Sequence, residues 1–268
     1  MSVKAVVLAA GLGSRLCPLT PFLPKEMLPL GGMPAIHYIL CELAEIGIEE
    51  AMIVISSEKE KIRDYCLRAL FPKGEAAIRL SEERSRILSK IRFSFVTQKE
   101  LLGTADAIAL ATEFAGKDPL LVVYPDDLLF LSPNERMGIE SLSLMMRKAD
   151  REGRAVLLCR EIPLDAVGNY GVLRLSSEER DGFFCVREIV EKPAEWSEDR
   201  AYALIGRMFL TPSVIACIPS LPRNDREGII PALNSAARSG ALSAFLFRGE
   251  HWDIGSHEGY LKAVSACL

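Results

Sequence analysis

The chain reads as a doubly wound α/β fold, and three features carry that reading. Two continuous apolar runs, Lys4-Ala-Val-Val-Leu-Ala-Ala10 and Pro119-Leu-Leu-Val-Val-Tyr124, end in loop-forming residues, as parallel strands buried on both faces do. Segments of helical periodicity separate such runs through the first 160 residues. Beyond that point the rhythm changes to short strand-like runs divided by polar turns, which predicts a smaller, more antiparallel layer joined to the same sheet.

Strand one ends near Ala10. From Gly11 to Pro34 the chain carries glycines at 11, 13, 31 and 32 and prolines at 18, 21, 24, 29 and 34, which deny it a regular helix or a central strand. So long an irregular segment straight after a buried strand reads as a binding loop. Helical spacing resumes at Ile36, Ile39, Leu40, Leu43 and Ile46, with Pro34 suited to the first turn and Gly47 to the C-terminal cap.

Ala51-Met-Ile-Val-Ile55 predicts a strand, 58–70 and 82–91 predict helices, and Phe93-Ser-Phe-Val96 predicts the next strand. Thr104 to Phe114 is Ala-rich and helical, the run at 119–124 ends in Pro125-Asp126-Asp127, and 135–150 forms a helix with apolar Met137, Leu142 and Met145 or Met146. Ala155-Val-Leu-Leu-Cys159 leads into strands at 170–175, 184–190 and 203–210. Helices at about 212–217 and 226–238, a strand at 242–247 and a helix at 257–267 complete the chain.

Composition narrows the function classes. With 268 residues, 49% hydrophobic and 25% charged, the chain can bury a full core without disulfides, and disorder is excluded. Thirty-two Lys plus Arg against 36 Asp plus Glu leave a net charge of −4, which argues against nucleic acid as a partner. The seven cysteines are odd in number and contain no Cys-x-x-Cys pair, so they read as reduced thiols. The longest uncharged stretches, 27–41 and 208–222, contain prolines and fall short of the roughly 18 residues a membrane span needs. Ala5 to Leu12 imitates a short signal-peptide core but has only Lys4 before it and Arg15 soon after; the expected compartment is the cytoplasm.

The first loop limits the chemistry. Its Gly11-x-Gly13 suggests a dinucleotide fold, but the third glycine position is Leu16 and the prolines that follow forbid the helix that fold requires. No G-x-x-x-x-G-K-[ST] run is present. What remains is a glycine loop with two cations, Arg15 and Lys25, which can neutralise a polyphosphate while backbone N–H groups cradle its oxygens. As isolated residues they could equally be solvated loop charges.

Leu8-Ala-Ala-Gly-Leu-Gly-Ser-Arg15, Pro18-Leu-Thr20, Pro24-Lys-Glu-Met-Leu-Pro29 and Pro34-x-Ile-x-Tyr38 together resemble the signature of the sugar-1-phosphate nucleotidyltransferases. The Lys-Glu-Met-Leu-Pro form is most similar to the bacterial UTP:glucose-1-phosphate uridylyltransferases. The resemblance continues through Gln98, Gly103-Thr-Ala-Asp-Ala, Pro125-Asp-Asp127, Asn169-Tyr-Gly-Val172, Val190-Glu-Lys-Pro193, Ile205-Gly-Arg207 and Trp252-Asp-Ile-Gly255. It implies a single nucleotidyltransferase domain over 1–268, with a Rossmann-like, mostly parallel central sheet flanked by helices. The nucleotide would be held by about 1–160 and the sugar by about 161–268 and its antiparallel layer. The implied reaction transfers a uridylyl group from UTP to glucose 1-phosphate.

Such a transfer needs an oxyanion to strike the α-phosphorus in line while pyrophosphate leaves, with charge neutralised on both sides. A sugar 1-phosphate, with a second pKa of about 6, is already mostly ionised at pH 7, so no strong general base is required. His37, His251 and His257 then need no catalytic role. By resemblance, Asp126 and the distant Asp253 hold Mg2+, an ion suited by one or two carboxylates plus phosphate oxygens and water. Asp127 rivals Asp126, because neighbouring strand residues face opposite ways and only one reaches the site; its alternative is a loop-capping hydrogen bond.

Arg15 and Lys25 are the catalytic candidates, stabilising the departing pyrophosphate. Ala9, Ala10, Gly11 and Gly13 would let the backbone approach the nucleotide, with Glu26 nearby. Gln98 could pair with the acceptor-donor edge of uracil, or else serve the fold by bonding to backbone, and Gly103 would leave the base room. Glu191 would accept sugar hydroxyls, Lys192 would meet the sugar phosphate, and Gly171 would make space for the ring.

Ser14 stands where threonine is usual, and Asn224 to Leu233 departs from the segment typical of the uridylyltransferases. Two alternatives stay open: a sister enzyme using another nucleoside triphosphate such as dTTP or another sugar 1-phosphate, and a non-catalytic nucleotide-sugar sensor. The resemblance further implies a homodimer or homotetramer.

Overall fold

The computed structural model describes residues 3–70, 88–130, 136–222 and 228–267. Strands β1 (Lys4–Leu8), β2 (Glu50–Ile55), β3 (Arg92–Thr97) and β4 (Leu120–Val123) form a parallel half-sheet in the order β3-β2-β1-β4. The continuous apolar runs have the expected cause. Ala5, Val7 and Ala9 pack on one side of the sheet against helix α1 (Ala35–Glu45), while Val6 and Leu8 pack on the other, with Ala105, Ala107 and Ile108. A strand covered on both faces has no polar side.

Helix α1 buries Ile36, Ile39, Leu40 and Leu43 and is followed by Gly47 at φ +83°, the left-handed conformation that a C-terminal glycine supplies. Helix α2 (Glu60–Leu70) follows β2; residues 82–87 of the helix expected at 82–91 lie outside the described residues. The single helix expected over 104–114 is instead two, α3 (Thr104–Ala109) and α4 (Thr112–Ala115). Between them the Ala111 N–H bonds to Ile108 O, three residues back, tightening the last turn of α3 until the helix ends.

After β4 come the short strand β5 (Asp127–Phe130), helix α5 (Arg136–Glu152) and strands β6 (Ala155–Ile162), β7 (Gly171–Arg180), β8 (Phe183–Glu191) and β9 (Ala201–Leu210). Helices α6 (Pro212–Cys217) and α7 (Ile230–Arg238), strands β10 (Leu242–Leu246) and β11 (Glu250–Asp253), and helix α8 (His257–Ala266) complete it. The start of the helix expected at 135, and residues 226–227 of that expected at 226, fall outside the described residues.

The full sheet runs β3-β2-β1-β4-β9-β6-β10-β8-β7. Among the described residues, every pairing beyond β4 is antiparallel except β6 with β10, so the change of rhythm near residue 160 is a change of sheet type. Strand β9 joins the halves. Its C-terminal part pairs with β4 through Arg207 to Leu210, and its N-terminal part pairs with β7 through Tyr202 and Ala203. Among the described residues no helix is long and apolar enough to cross a membrane.

Candidate active site

The loop after β1 is tightly folded. Gly13 adopts φ +68°, and a Cβ there would stand 2.9 Å from Thr20 Cγ2, so the backbone can pass only as glycine. Thr20 Oγ1 donates to the Gly13 carbonyl across 2.9 Å. One 3-10 turn, Ser14–Leu16, buries Leu16 and leaves Arg15 exposed, and a second, Lys25–Met27, carries the other cation.

Glu26 is fully buried, and Lys59 Nζ donates to its carboxylate oxygens at 2.9 and 2.8 Å. Burial drives the pair toward neutrality, pushing the Glu26 carboxyl up and the Lys59 ammonium down. In this structure Glu26 has both carboxylate oxygens taken up by Lys59. It anchors the turn from which Lys25 projects.

Lys25 Nζ donates to Asp126 Oδ2 at 2.5 Å. Burial alone would lower the lysine and raise the aspartate. Their mutual attraction overrides it, holding the ammonium above and the carboxyl below their ordinary ranges. Arg15 forms a fork with Asp253, Nη1 to Oδ2 at 2.6 Å and Nη2 to Oδ1 at 3.2 Å. Burial, then the charges of Asp127 and Asp126, raise the Asp253 carboxyl against the pull of Arg15.

A two-stranded ladder brings the carboxylates together. Strands β5 and β11 pair antiparallel with Asp253 opposite Asp127, and Ile254 N–H donates to the Asp126 carbonyl at 2.9 Å. A Cβ on Gly255 would lie 2.7 Å from Asp126 Oδ2, 2.8 Å from Arg15 Nη2 and 2.9 Å from Asp253 Oδ1. Two carboxylates and a guanidinium thus converge on one atom-sized position. No group of three metal-ligating side chains occurs among the described residues. Asp126 and Asp253, each paired here with a cation, are of the donor type that suits a hard divalent cation taking its other ligands from phosphate and water.

Asp127 faces elsewhere. Its Oδ2 accepts from Gly206 N–H at 2.8 Å and its Oδ1 lies 2.7 Å from His251 Nε2. His251 Nδ1 meets Arg160 Nη1 at 3.3 Å. Guanidinium can only donate, so Nδ1 accepts and the ring proton sits on Nε2, directed at Asp127. These bonds tie Asp127 to β9 and β11, 79 and 124 positions away, and not to its own loop. His37, which needs no catalytic role, is buried with Nδ1 3.0 Å from the Tyr65 hydroxyl.

Gln98 closes β3, and its Nε2 donates to Asp106 Oδ2 at 2.9 Å and to the Gly103 carbonyl at 3.2 Å. Its amide donor thus serves the fold, so any pairing with a base falls to its carbonyl oxygen. Gly103, at φ +91°, is the N-cap of α3. Ala9 and Ala10 are buried at the end of β1, and nothing lies within 4 Å of where a Cβ on Gly11 would stand.

The second group assembles at the start of β7 and the end of β8. Gly171 pairs with Glu191, and a Cβ on Gly171 would stand 3.1 Å from Glu191 Oε2. Burial raises the Glu191 carboxyl, opposed by Lys192, whose backbone holds φ +43°, a conformation few lysines adopt. Burial pushes up the Tyr124 phenol, and the charges of Asp127, Glu191 and Asp126 add to it.

The sequence model of the nucleotidyl transferase family matches residues 4–268. The chain belongs to that family. A Bacillus subtilis (strain 168) protein provisionally named UTP–glucose-1-phosphate uridylyltransferase is 34% identical over 269 residues, 98% of this chain and 96% of the relative. The UTP–glucose-1-phosphate uridylyltransferase of Pseudomonas aeruginosa is 30% identical over 100% of this chain and 96% of its own. The crystal structure of a UDP-glucose pyrophosphorylase complexed with UDP-glucose superposes with TM-score 0.85 at 30% identity, covering 99% of this chain and 98% of that one.

Several residues around these groups were given no role in the sequence: Lys59, Arg160, His251 and the pair Arg207 and Glu42. Each is a lone charged or titratable side chain far in sequence from its partner, and only the fold pairs them. Arg207 alone stood within a quoted motif, without a role.

Proposed function

We propose that this nucleotidyl transferase makes UDP-glucose and pyrophosphate from UTP and glucose 1-phosphate. The observation that carries the reading is the convergence of Arg15, Lys25, Asp126 and Asp253 at the carboxyl ends of β1 and β4, where open α/β sheets bind their ligands. The relatives at 30% identity or above that bear uridylyltransferase names supply the substrate pair.

A phosphate oxygen of the sugar 1-phosphate forms the new bond to the α-phosphorus of UTP. The bond from that phosphorus to the bridging oxygen breaks, and its electron pair leaves with pyrophosphate. Arg15 and Lys25 neutralise the departing oxygens, and Lys25 comes already oriented by its buried neighbour Glu26. Glu191 accepts from sugar hydroxyls and Lys192 meets the sugar phosphate, beside a ring for which Gly171 leaves space. Asp126 and Asp253 would hold Mg2+, which when bound screens the repulsion between the two anionic substrates. In this reading 1–160 serves the nucleotide and 161–268 the sugar, and the chain assembles as a homodimer or homotetramer.

The test is pyrophosphate release across the four nucleoside triphosphates and several sugar 1-phosphates, with and without magnesium. The expected result is strongest release from UTP with glucose 1-phosphate, dependent on magnesium. A preference for dTTP or another sugar would assign a sister activity, and no release from any pair would leave the sensor reading.

A further inference from the structure

Resting on that reading of Asp126, we propose that Arg207 is the positioning residue for the metal-binding turn, with Glu42 holding its guanidinium in place. Arg207 is fully buried in β9, opposite Val123 of β4. Its Nη1 donates to the carbonyls of Tyr124 at 3.3 Å, Asp127 at 3.1 Å and Gly206 at 2.9 Å. The first two carbonyls bracket Pro125-Asp126, so a single nitrogen draws both ends of the turn together.

The adjacent residue works on the same turn. Gly206 N–H binds the Asp127 carboxylate at 2.8 Å, and Tyr124 N–H donates to the Gly206 carbonyl at 3.0 Å. A Cβ at Gly206 would come within 2.6 Å of the Asp127 side chain, so only glycine allows this approach. The remaining donors of Arg207, Nε and Nη2, form a fork with Glu42 Oε1 and Oε2 at 2.5 and 2.9 Å. Glu42 lies on α1, which begins directly after the loop bearing Lys25.

A buried ion pair gains little over a well-packed apolar pair, because desolvation offsets its attraction. What this one supplies is geometry. It fixes the Asp126 turn against the element that follows the phosphate loop, and Lys25 and Asp126 face each other across that junction. A misplacement near 1 Å at such a site costs about a hundredfold in rate.

The experiment compares the full chain with Arg207→Lys, Glu42→Gln and Asp126→Asn variants, by amide hydrogen exchange without metal and by magnesium titration of turnover. Arg207→Lys cannot reach three carbonyls and a carboxylate at once. Exchange at the Asp127 and Ile254 amides should rise about tenfold while the rest of the sheet stays protected, and half-maximal turnover should need about tenfold more magnesium. The KM for UTP and for the sugar phosphate should hold within about twofold, since neither substrate touches Arg207. A folded Arg207→Lys with unchanged exchange at both amides and an unchanged magnesium requirement overturns the proposal.

Should that variant not fold, Glu42→Gln decides. Its amide turns a donor toward Arg207 Nη2, and the same shifts should appear at about threefold; their absence again overturns the proposal. Asp126→Asn should abolish magnesium activation. Magnesium-activated turnover in Asp126→Asn would instead overturn the reading of Asp126, and the exchange data would still report whether Arg207 holds the turn.

Discussion

Lys25 Nζ and Asp126 Oδ2 meet at 2.5 Å although 101 positions separate them, so the cation assigned to pyrophosphate and the carboxylate assigned to magnesium orient each other. Removing either should weaken chemistry before it weakens the fold. Lys25→Ala is expected to lower kcat by about 10² to 10³, the scale of losing one preorganised charge, with the KM for sugar phosphate unmoved. Asp126→Ala and Asp253→Ala should each abolish magnesium-dependent turnover with the far-ultraviolet circular dichroism intact. A Lys25→Ala defect confined to the sugar KM would transfer that residue to the other subsite.

Gly255 gives a test that adds atoms instead of removing charge. Its φ lies outside the left-handed region, so alanine is compatible with the backbone, yet the new methyl would enter the position on which Asp126, Arg15 and Asp253 converge. Gly255→Ala is therefore expected to lower kcat by about a hundredfold or more. Its melting temperature should stay within a few degrees of the parent's, as about 0.5 kcal/mol would allow. Full activity in this variant would show that the position is not where the reaction needs space.

The buried pair Glu26 and Lys59 should behave as a unit. Lys59→Met alone strands a carboxylate without solvent and is expected to cost about 3–5 kcal/mol, whereas Glu26→Gln with Lys59→Met should recover most of that loss. The pH dependence has a definite sign. Glu26 is raised by burial, so the stability it contributes is complete below its unfolded value and is lost as pH rises through the folded one. Lys59 is lowered by burial, so its contribution is present above its unfolded value and is lost as pH falls through the folded one. The charged pair is thus least favourable near neutral pH. Urea titrations should show the double variant gaining on the parent from pH 4 to pH 7; a gap that narrows instead would contradict the assigned shifts.

How far the sequence speaks for the site depends on the range over which each residue acts. Arg15 and Lys25 are legible as loop cations because glycine and proline spacing fixes a loop locally, and the apolar runs of β1 and β4 place that loop at the carboxyl end of the sheet. The meeting of Asp126 with Asp253 rests on the ladder of β5 with β11, four residues each, too short for alternation to declare them strands. Only the resemblance could pair the two aspartates in advance. Glu26 shows the opposite limit. Its place near the nucleotide came from the resemblance alone, and the buried lysine that bonds both its oxygens comes from the start of the second helical segment, 33 residues on.

Glu191 yields the last prediction, because its shift is tied to a role that pH can switch. Burial raises its carboxyl and Lys192 only partly opposes that, so the carboxylate is lost at a pH above the ordinary glutamate range. As a carboxylate it can accept from two sugar hydroxyls; once protonated it must donate through one oxygen, and the pattern no longer fits. The KM for sugar 1-phosphate should therefore climb as pH falls through that raised value, while the KM for UTP, bound away from Glu191, changes less. Glu191→Gln should have an elevated sugar KM at neutral pH and lose this dependence on pH, leaving only the titration of the substrate phosphate near pH 6. Initial-rate measurements from pH 5 to 8 on both proteins give the answer, and the same acid limb persisting in the glutamine variant would remove Glu191 from the sugar site.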